Sequence, residues 1–420
     1  MVHRKAGKND GQNLKAPESG EKEEEISDVS PEYRNIASDV SPEYVRNIGP
    51  EYRRRKAMKI LIQFEKRPIL FQEPEFIISC DNPSSFAACF RDIESALEHG
   101  YYVAGFLAYE AGYCFEEKLA EDKTYDFPLV YMGAYESFLC DRIGIRARSF
   151  QNSFKGLRLN ISQDNYFSDI RAIRDYIAKG DVYQITYCIK LLFNFEGDPF
   201  SFYAELLRKQ PVPYPAYIET DQFHILSLSP EMFLKKKCSY VVTKPMKGTW
   251  PRGYDMISDL IAPFRLKYDK KNRAENVMIA DLLRNDLGRV GTNVKTPALF
   301  EVAKYNTLCQ MTSTVTGQVD KNISFYKLFA SLFPSGSVTG APKIRAMEII
   351  RKLEGEERKI YTGAIGYISP DRDMFFNIPI RTLLISSGSG EMGIGGGIVW
   401  DSTPQGEWDE GMLKAKFLTG

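Results

Sequence analysis

The sequence predicts an α+β fold, and three observations carry that expectation. Alternating β-branched and aromatic runs recur at Ile60–Phe64 and Phe76–Ser79. Amphipathic helical stretches at Phe86–His99 and Tyr166–Lys179 each stop at a glycine. An antiparallel hairpin pattern spans Met232–Thr243. At 420 residues, with 43% hydrophobic and 13% aromatic content, the chain is long enough for a large buried core and more than one subdomain.

Composition excludes several function classes. Fifty-five basic and fifty-five acidic residues cancel, leaving no global field for nucleic acid or an anionic membrane, although a local cluster can still hold a small anion. The seven cysteines are scattered and never form a Cys-x-x-Cys pair, so they read as reduced core thiols of a cytoplasmic protein. His3, His99 and His224 are the only histidines and none sits in a zinc or triad pattern. No apolar run approaches the roughly 20 residues that span a bilayer, and the first residues lack the apolar core of a secretion signal.

Residues 1–57 are polar, charged and nearly free of large aliphatics, with Ser-Asp-Val-Ser-Pro-Glu-Tyr starting at Ser27 and again at Ser38. So little apolar surface does not offset ordering entropy, and a disordered or artefactual tail is expected, the folded chain starting near Met58. Residues 58–160 are expected to form a β-rich N-terminal subdomain. Its strands are interrupted at Pro68 and Pro74, its helix ends at Gly100, and Tyr101–Gly112 reads as an apolar strand with glycines. In the next helix Phe167, Ile170, Ile173 and Ile177 fall three or four apart, Gly180 stops it, and Asp181–Lys190 reads as strand.

The stretch Ser229–Gly253 carries Glu231 near one end and Lys247 near the other. Met232–Leu234 reads as strand, Lys235–Ser239 as a polar reversal and Tyr240–Thr243 as the return strand, a hairpin that brings the two ends together. Gly248-Thr-Trp-Pro-Arg-Gly253 then reads as a loop where backbone can approach a ligand. By pattern alone the leading reading is a surface hairpin with ordinary charges.

Asp269–Gly288 reads as a charged helix with an apolar stripe at Val277, Met278, Ala280, Leu282 and Leu283. Ser335–Lys343 invites a phosphate-loop reading, but Ala341-Pro-Lys343 breaks the required Gly-Lys-Ser/Thr run. Tyr361–Ile368 and Phe375–Ile385 read as strands, and Gly393–Asp401 as a glycine turn entering another. In the last helix Thr403 suits the cap and Pro404 the first position, which places Glu407, Glu410 and Lys414 on one face. A solvated salt-bridge face is the alternative there.

Several of these runs share a pattern. Ser-Pro-Glu231 is followed sixteen residues later by the lysine of Pro-Met-Lys247-Gly-Thr-x-Pro-Arg252, and then come Arg273-Ala-Glu275, Pro334-Ser-Gly-Ser-x-Thr339-Gly-x-Pro-Lys343 and Glu407-Trp-x-Glu410-x-x-x-Lys414. Together they resemble the chorismate-utilising enzymes, and within them the aminodeoxychorismate synthase component I branch. Anthranilate synthases of that family usually carry alanine where Lys247 stands.

The resemblance implies two large, mostly antiparallel β-sheets packed as a core sandwich with helices outside, and a catalytic region over 161–420. It implies Lys247 as nucleophile and Glu231 as general acid, with Glu275 and Glu407 as ligands of a magnesium ion (Mg2+) and Glu410 behind them. Thr339, Gly340, Tyr367, Arg381, Lys414 and the backbone of Gly395, Gly396 and Gly397 are implied contacts to chorismate. An arginine fork and a nest of N–H groups are what a substrate carboxylate requires.

Gln184 stands where isochorismate and salicylate synthases place a water-activating lysine, and an amide cannot deprotonate water. The implied nucleophile is therefore ammonia, delivered by a separate glutamine amidotransferase subunit. The implied product is 4-amino-4-deoxychorismate, on the route to p-aminobenzoate and folate. Asn276 and Gln310 replace histidines usual in the family, so an acid–base role at 310 lapses. Glu231 must hold a proton near pH 7, which requires a raised pKa. Lys247 must be neutral, at a cost of about 4–5 kcal/mol unless burial or a neighbouring cation such as Arg252 lowers its pKa. Anthranilate synthase component I and a catalytically silent subunit of an amidotransferase complex are the rival readings.

Overall fold

A computed structural model of the chain describes residues 57–140, 153–304 and 308–419. The tail expected over residues 1–57 lies outside them up to Lys56.

The first half of the chain runs β1 (Met58–Ile62), β2 (Ile69–Gln72), β3 (Phe76–Cys80), α1 (Pro83–Glu98), β4 (Tyr102–Leu107), α2 (Ala111–Cys114), β5 (Val130–Tyr135), β6 (Ser153–Leu159), α3 (Gln163–Ala178), β7 (Gln184–Glu196), α4 (Pro199–Lys209), β8 (Tyr214–Thr220) and β9 (His224–Ser229). It continues with β10 (Met232–Lys237), β11 (Tyr240–Lys244), β12 (Met246–Pro251), α5 (Met256–Tyr268), α6 (Lys270–Gly288), β13 (Gly291–Lys304), β14 (Leu308–Val319) and α7 (Phe325–Leu332). The last part holds β15 (Gly340–Ala341), α8 (Lys343–Leu353), β16 (Ala364–Ile368), β17 (Met374–Asn377), β18 (Thr382–Ser386), β19 (Ser389–Ile398) and α9 (Pro404–Thr419).

Two antiparallel sheets result. One has the order β15-β7-β19-β18-β9-β8-β1-β2 with β6 also on β7, and the other β12-β14-β11-β10-β17-β16-β4-β5-β3 with β13 also on β14. Apolar alternation explains the layering. Ile60 and Ile62 on β1 join a cluster with Phe106, Tyr131, Ile365 and Phe375 of the second sheet, while Leu61 points the other way, toward Tyr217 and Leu226. A strand buried on both faces reads as a continuous apolar run, as Ile60, Leu61 and Ile62 of β1 do. Outside the sheets, α3, α4, α8 and α9 cover the first, and α1, α6 and α7 cover the second. The expected α+β sandwich with outer helices is the observed fold. No helix among the described residues is long and apolar enough to cross a membrane.

Local differences from the sequence reading have physical causes. The strand expected over Tyr101–Gly112 ends at Leu107, because the chain turns there into the short helix Ala111–Cys114. The polar reversal expected over Lys235–Ser239 shrinks to Cys238 and Ser239, with Cys238 at a φ of 52°. Two of its lysines continue the strand with partners of their own: Lys235 reaches Glu65, and Lys236 donates to the carbonyls of Lys321 and Arg372. The glycine turn expected at Gly393 is instead the uninterrupted strand β19. Residues 58–160 do not stand apart either, since β1 and β2 extend the first sheet while β3, β4 and β5 extend the second. Of the seven thiols, Cys140 and Cys238 are exposed and Cys114 is half-buried, so only the other four are core residues.

Candidate active site

The chain crosses from one sheet to the other at Pro230 and Glu231, between β9 and β10. Ser229 Oγ accepts the Glu231 N–H at 3.1 Å, and the Glu231 carbonyl accepts from Ile378 N–H at 3.1 Å, which fixes the crossover. The carboxylate is buried, and Oε1 accepts from Ser337 Oγ at 2.7 Å and Met246 N–H at 3.1 Å. Burial pushes its pKa up to about 7, against the pull of those two donors and of Lys247. The hairpin β10–β11 closes the loop between the two ends, so that Lys247 begins one residue beyond the Met246 amide.

Asn276 on α6 secures that lysine's backbone: Nδ2 donates to the Lys247 carbonyl at 3.2 Å, and Oδ1 accepts from Ser313 Oγ. Asn276 is thus a buried tie between α6, β12 and β14. Desolvation by burial lowers the Lys247 pKa and Lys414 lowers it further, while Glu275 and Glu231 oppose the shift. Arg252 is not the responsible cation, because it is forked onto Asp259, which also pairs with Lys304 at 2.6 Å.

The glycines of β19 let the remaining groups converge. A Cβ at Gly397 would lie 2.1 Å from Gln184 Nε2 and 3.0 Å from Lys247 Nζ. One at Gly396 would lie 3.0 Å from Glu407 Oε2 and 3.8 Å from Lys414 Nζ. These glycines bend nothing and instead leave space for side chains from β7, β12 and α9. Pairing of β19 with β18 stops at Met392, and along the edge beyond it Lys414 Nζ donates to the Gly395 carbonyl at 2.7 Å. Lys414 also pairs with Glu410 at 2.8 Å, which holds the Glu410 carboxyl below its usual range.

Thr339 and Gly340 lie beside Gln184, where β15 meets β7. Thr339 is fully buried, its hydroxyl donates to the Ser335 carbonyl at 2.9 Å, and its carbonyl accepts from Thr186 N–H at 2.8 Å. Gly340 has a φ of 146°, and a side chain there would collide with the Gln184 carbonyl at 2.3 Å. Arg381 enters β18 with its carbonyl accepting from Leu228 N–H, three residues past the Ile378 amide bonded to Glu231.

Tyr367 is not brought into this cluster. Its ring packs 5.8 Å from that of Phe71, in the apolar layer that also holds Tyr102 and Phe138. Two-residue alternation along β16 decides which face it takes, and a motif does not reveal that face. The tyrosine that reaches β19 is Tyr361, whose ring carbon Cγ stands 2.1 Å from where a Gly393 Cβ would be. Sequence reasoning also missed Ser337. It lies inside a run already singled out, but nothing in that run says which hydroxyl meets Glu231.

Two carboxylates are candidates for a hard cation. Glu407 is buried and accepts from Ser402 Oγ at 2.6 Å, and burial raises the pKa of both Glu407 and Glu275. Among the described residues no three acidic, histidine or cysteine side chains form a self-sufficient metal cage. Magnesium suits such a site, since it takes one or two protein carboxylates and completes its shell with water and substrate oxygens. The chemistry of the two side chains suits that ion, since burial disfavours both charged carboxylates and a bound cation would offset that cost.

Comparison with known proteins agrees with this arrangement. A family model described as chorismate binding enzyme matches residues 145–420. The chain is 38% identical over 256 residues to aminodeoxychorismate synthase component 1 of Bacillus subtilis (strain 168), covering 60% of this chain and 54% of that protein. It is 36% identical over 267 residues to anthranilate synthase component 1 of Aquifex aeolicus (strain VF5), covering 63% and 54%. The alignment thus spans about half the length of these relatives. The crystal structure of anthranilate synthase component I from Streptococcus pneumoniae TIGR4 superposes with a TM-score of 0.69 at 25% identity, covering 91% of this chain and 98% of that one. With two thirds of its sequence matched by that family model and its overall fold shared with a solved relative, the chain belongs to the chorismate binding enzyme family.

Proposed function

We propose that this protein is the synthase component of an aminodeoxychorismate synthase, aminating chorismate at C4 with ammonia. The observation that carries the reading is the meeting of Lys247 and Gln184 at Gly397: an amine with a lowered pKa beside an amide that cannot activate water. Both Gln184 amide atoms are buried and have no hydrogen-bond partner among the described residues, which suits them to meet a bound molecule.

Chemistry at C4 needs the allylic hydroxyl to leave as water. Glu231, protonated up to about pH 7, supplies that proton as the C4–O bond breaks. The neutral Lys247 amine forms a bond to C2 as the ring double bonds shift. Ammonia then attacks C4, the bonds shift back, and the C2–N bond breaks with its electron pair returning to the lysine. Glu275 and Glu407 would hold a magnesium ion, with Glu410 behind them. When bound, that ion draws electron density from the ring carboxylate as a Lewis acid. Lys414 and Arg381 are assigned to substrate carboxylates, beside the open edge of β19 at Gly395, Gly396 and Gly397.

Ammonia is assigned to a separate glutamine-hydrolysing subunit, a reading supported by relatives named as component 1. The test is to incubate the protein with chorismate, magnesium and ammonium and identify the product. 4-Amino-4-deoxychorismate is expected. Anthranilate would replace this reading with the other amination, and absence of turnover would leave a silent subunit.

A further inference from the structure

Arg358, on the loop between α8 and β16, is only 3% exposed. All five of its N–H groups are spent inside the protein. Nε and Nη2 donate to Glu354 Oε2 and Oε1 at 2.7 and 2.6 Å, and Nη2 also donates to the Thr186 carbonyl at 2.6 Å. Nη1 donates to the Val338 carbonyl at 2.9 Å and to Thr362 Oγ1 at 3.2 Å. The guanidinium carbon lies 4.2 Å from the centre of the Tyr109 ring. No donor remains for a substrate carboxylate, so any influence on chemistry passes through the groups it holds.

Those groups converge on the site. Val338 lies between Ser337, whose hydroxyl is on Glu231, and Thr339, whose carbonyl takes the Thr186 N–H. Thr186 is two residues along β7 from Gln184, and Thr362 follows Tyr361. Glu354 Oε1 also accepts the Cys188 N–H at 2.8 Å, on the same strand. One planar cation therefore ties together the loop of Ser337, the strand of Gln184 and the turn of Tyr361.

We infer that Arg358 is a positioning residue for the amination proposed above: its fork fixes the Ser337–Thr339 loop against β7 and so keeps the Ser337 hydroxyl on Glu231. The inference rests on that reaction. A lysine would keep the charge but lose the planar five-donor geometry. A cavity of about 420 Å³, lined among others by Arg358, Glu354, Cys188 and Tyr361, reaches this network, so a small cation has a route to it.

The experiment compares wild type with Arg358→Lys, Arg358→Ala and Glu354→Gln, using chorismate, magnesium and ammonium, with folding followed by circular dichroism. For Arg358→Lys, kcat is expected to fall about 30-fold while KM for chorismate moves by less than about threefold, because the loosened loop costs alignment more than binding. Guanidinium chloride at millimolar concentration is expected to restore part of the Arg358→Ala rate. The alkaline limb of the pH profile should move upward, since losing the Ser337 donor leaves burial to act on Glu231. The titratable groups facing that carboxyl, Lys247 on β12 and Tyr361, are unchanged in each variant.

An Arg358→Lys enzyme with wild-type kcat, or one whose loss follows only the unfolded fraction at an unchanged pH profile, overturns the inference. If both arginine variants fail to fold, Glu354→Gln decides: lowered kcat with the same limb shift supports it, and a wild-type profile overturns it. A wild type that makes no product overturns the functional reading and the role of Arg358 with it, whereas an active wild type beside an unimpaired Arg358→Lys overturns that role alone.

Discussion

Glu231 and Lys247 need opposite perturbations for the same physical reason. Burial penalises whichever form is charged, so it pushes the carboxyl up to about 7 and the amine down. On the proposed mechanism the acid must be protonated and the amine neutral. Activity should therefore fall as pH rises through about 7, where Glu231 loses its proton, and fall again at low pH, where Lys247 gains one. Glu231→Gln should lower kcat by roughly 100-fold or more and abolish the alkaline limb, as read from rate against pH. A variant that keeps the limb would assign it to another group. The proximity of these two residues was legible in the sequence because the hairpin brings them together, while the roles given to them come from the resemblance and belong to the proposal. Ser337 and Tyr361 were not legible, because which face of a loop or strand a side chain takes depends on long-range packing. Tyr367 was misplaced for that reason, and Arg252 because nearness along the chain does not anticipate its capture by Asp259.

Among the elements, β19 and α9 show how placement turns on single atoms. The sequence reading took the glycines at 393–397 as a turn, since glycine marks turns more often than strands. In the fold they are a wall thinned to backbone, a role visible only once Lys247, Gln184 and Glu407 have been brought to its face. Gly397→Ala would drive a methyl to 2.1 Å from Gln184 Nε2, so turnover should fall at least 100-fold while the circular dichroism spectrum stays that of wild type. On α9, a Cβ at Gly411 meets nothing within 4 Å among the described residues, so Gly411→Ala should stabilise the protein by about 1 kcal/mol and leave the rate unchanged. Helices were easier to read. The Ser162 side chain accepts from Asn165 N–H to cap α3, Thr403 Oγ1 accepts from Gly406 N–H at the start of α9, and apolar periodicity marks the buried face of α3.

For the whole molecule, the sandwich of two antiparallel sheets was expected from family likeness, and local patterns alone delivered only the α+β class. What they did not reveal is how the N-terminal strands are shared. Because β1 pairs with β8 while β4 pairs with β16, both sheets depend on residues before 160. A chain beginning at residue 161 would expose the layer now covered by Ile60, Phe106 and Tyr131. It should show no cooperative unfolding transition in calorimetry, and a sharp transition would mean that the later region folds alone.

The fold brings one buried amine, its pKa lowered by desolvation, to the glycine strand, and the proposed chemistry makes it the nucleophile. Intact-protein and peptide mass spectrometry after mixing the protein with chorismate and magnesium, without ammonia, tests that claim most directly. A covalent adduct on the Lys247 peptide, absent from Lys247→Ala and discharged when ammonium is added, is the predicted result. An adduct that persists in Lys247→Ala would contradict the account.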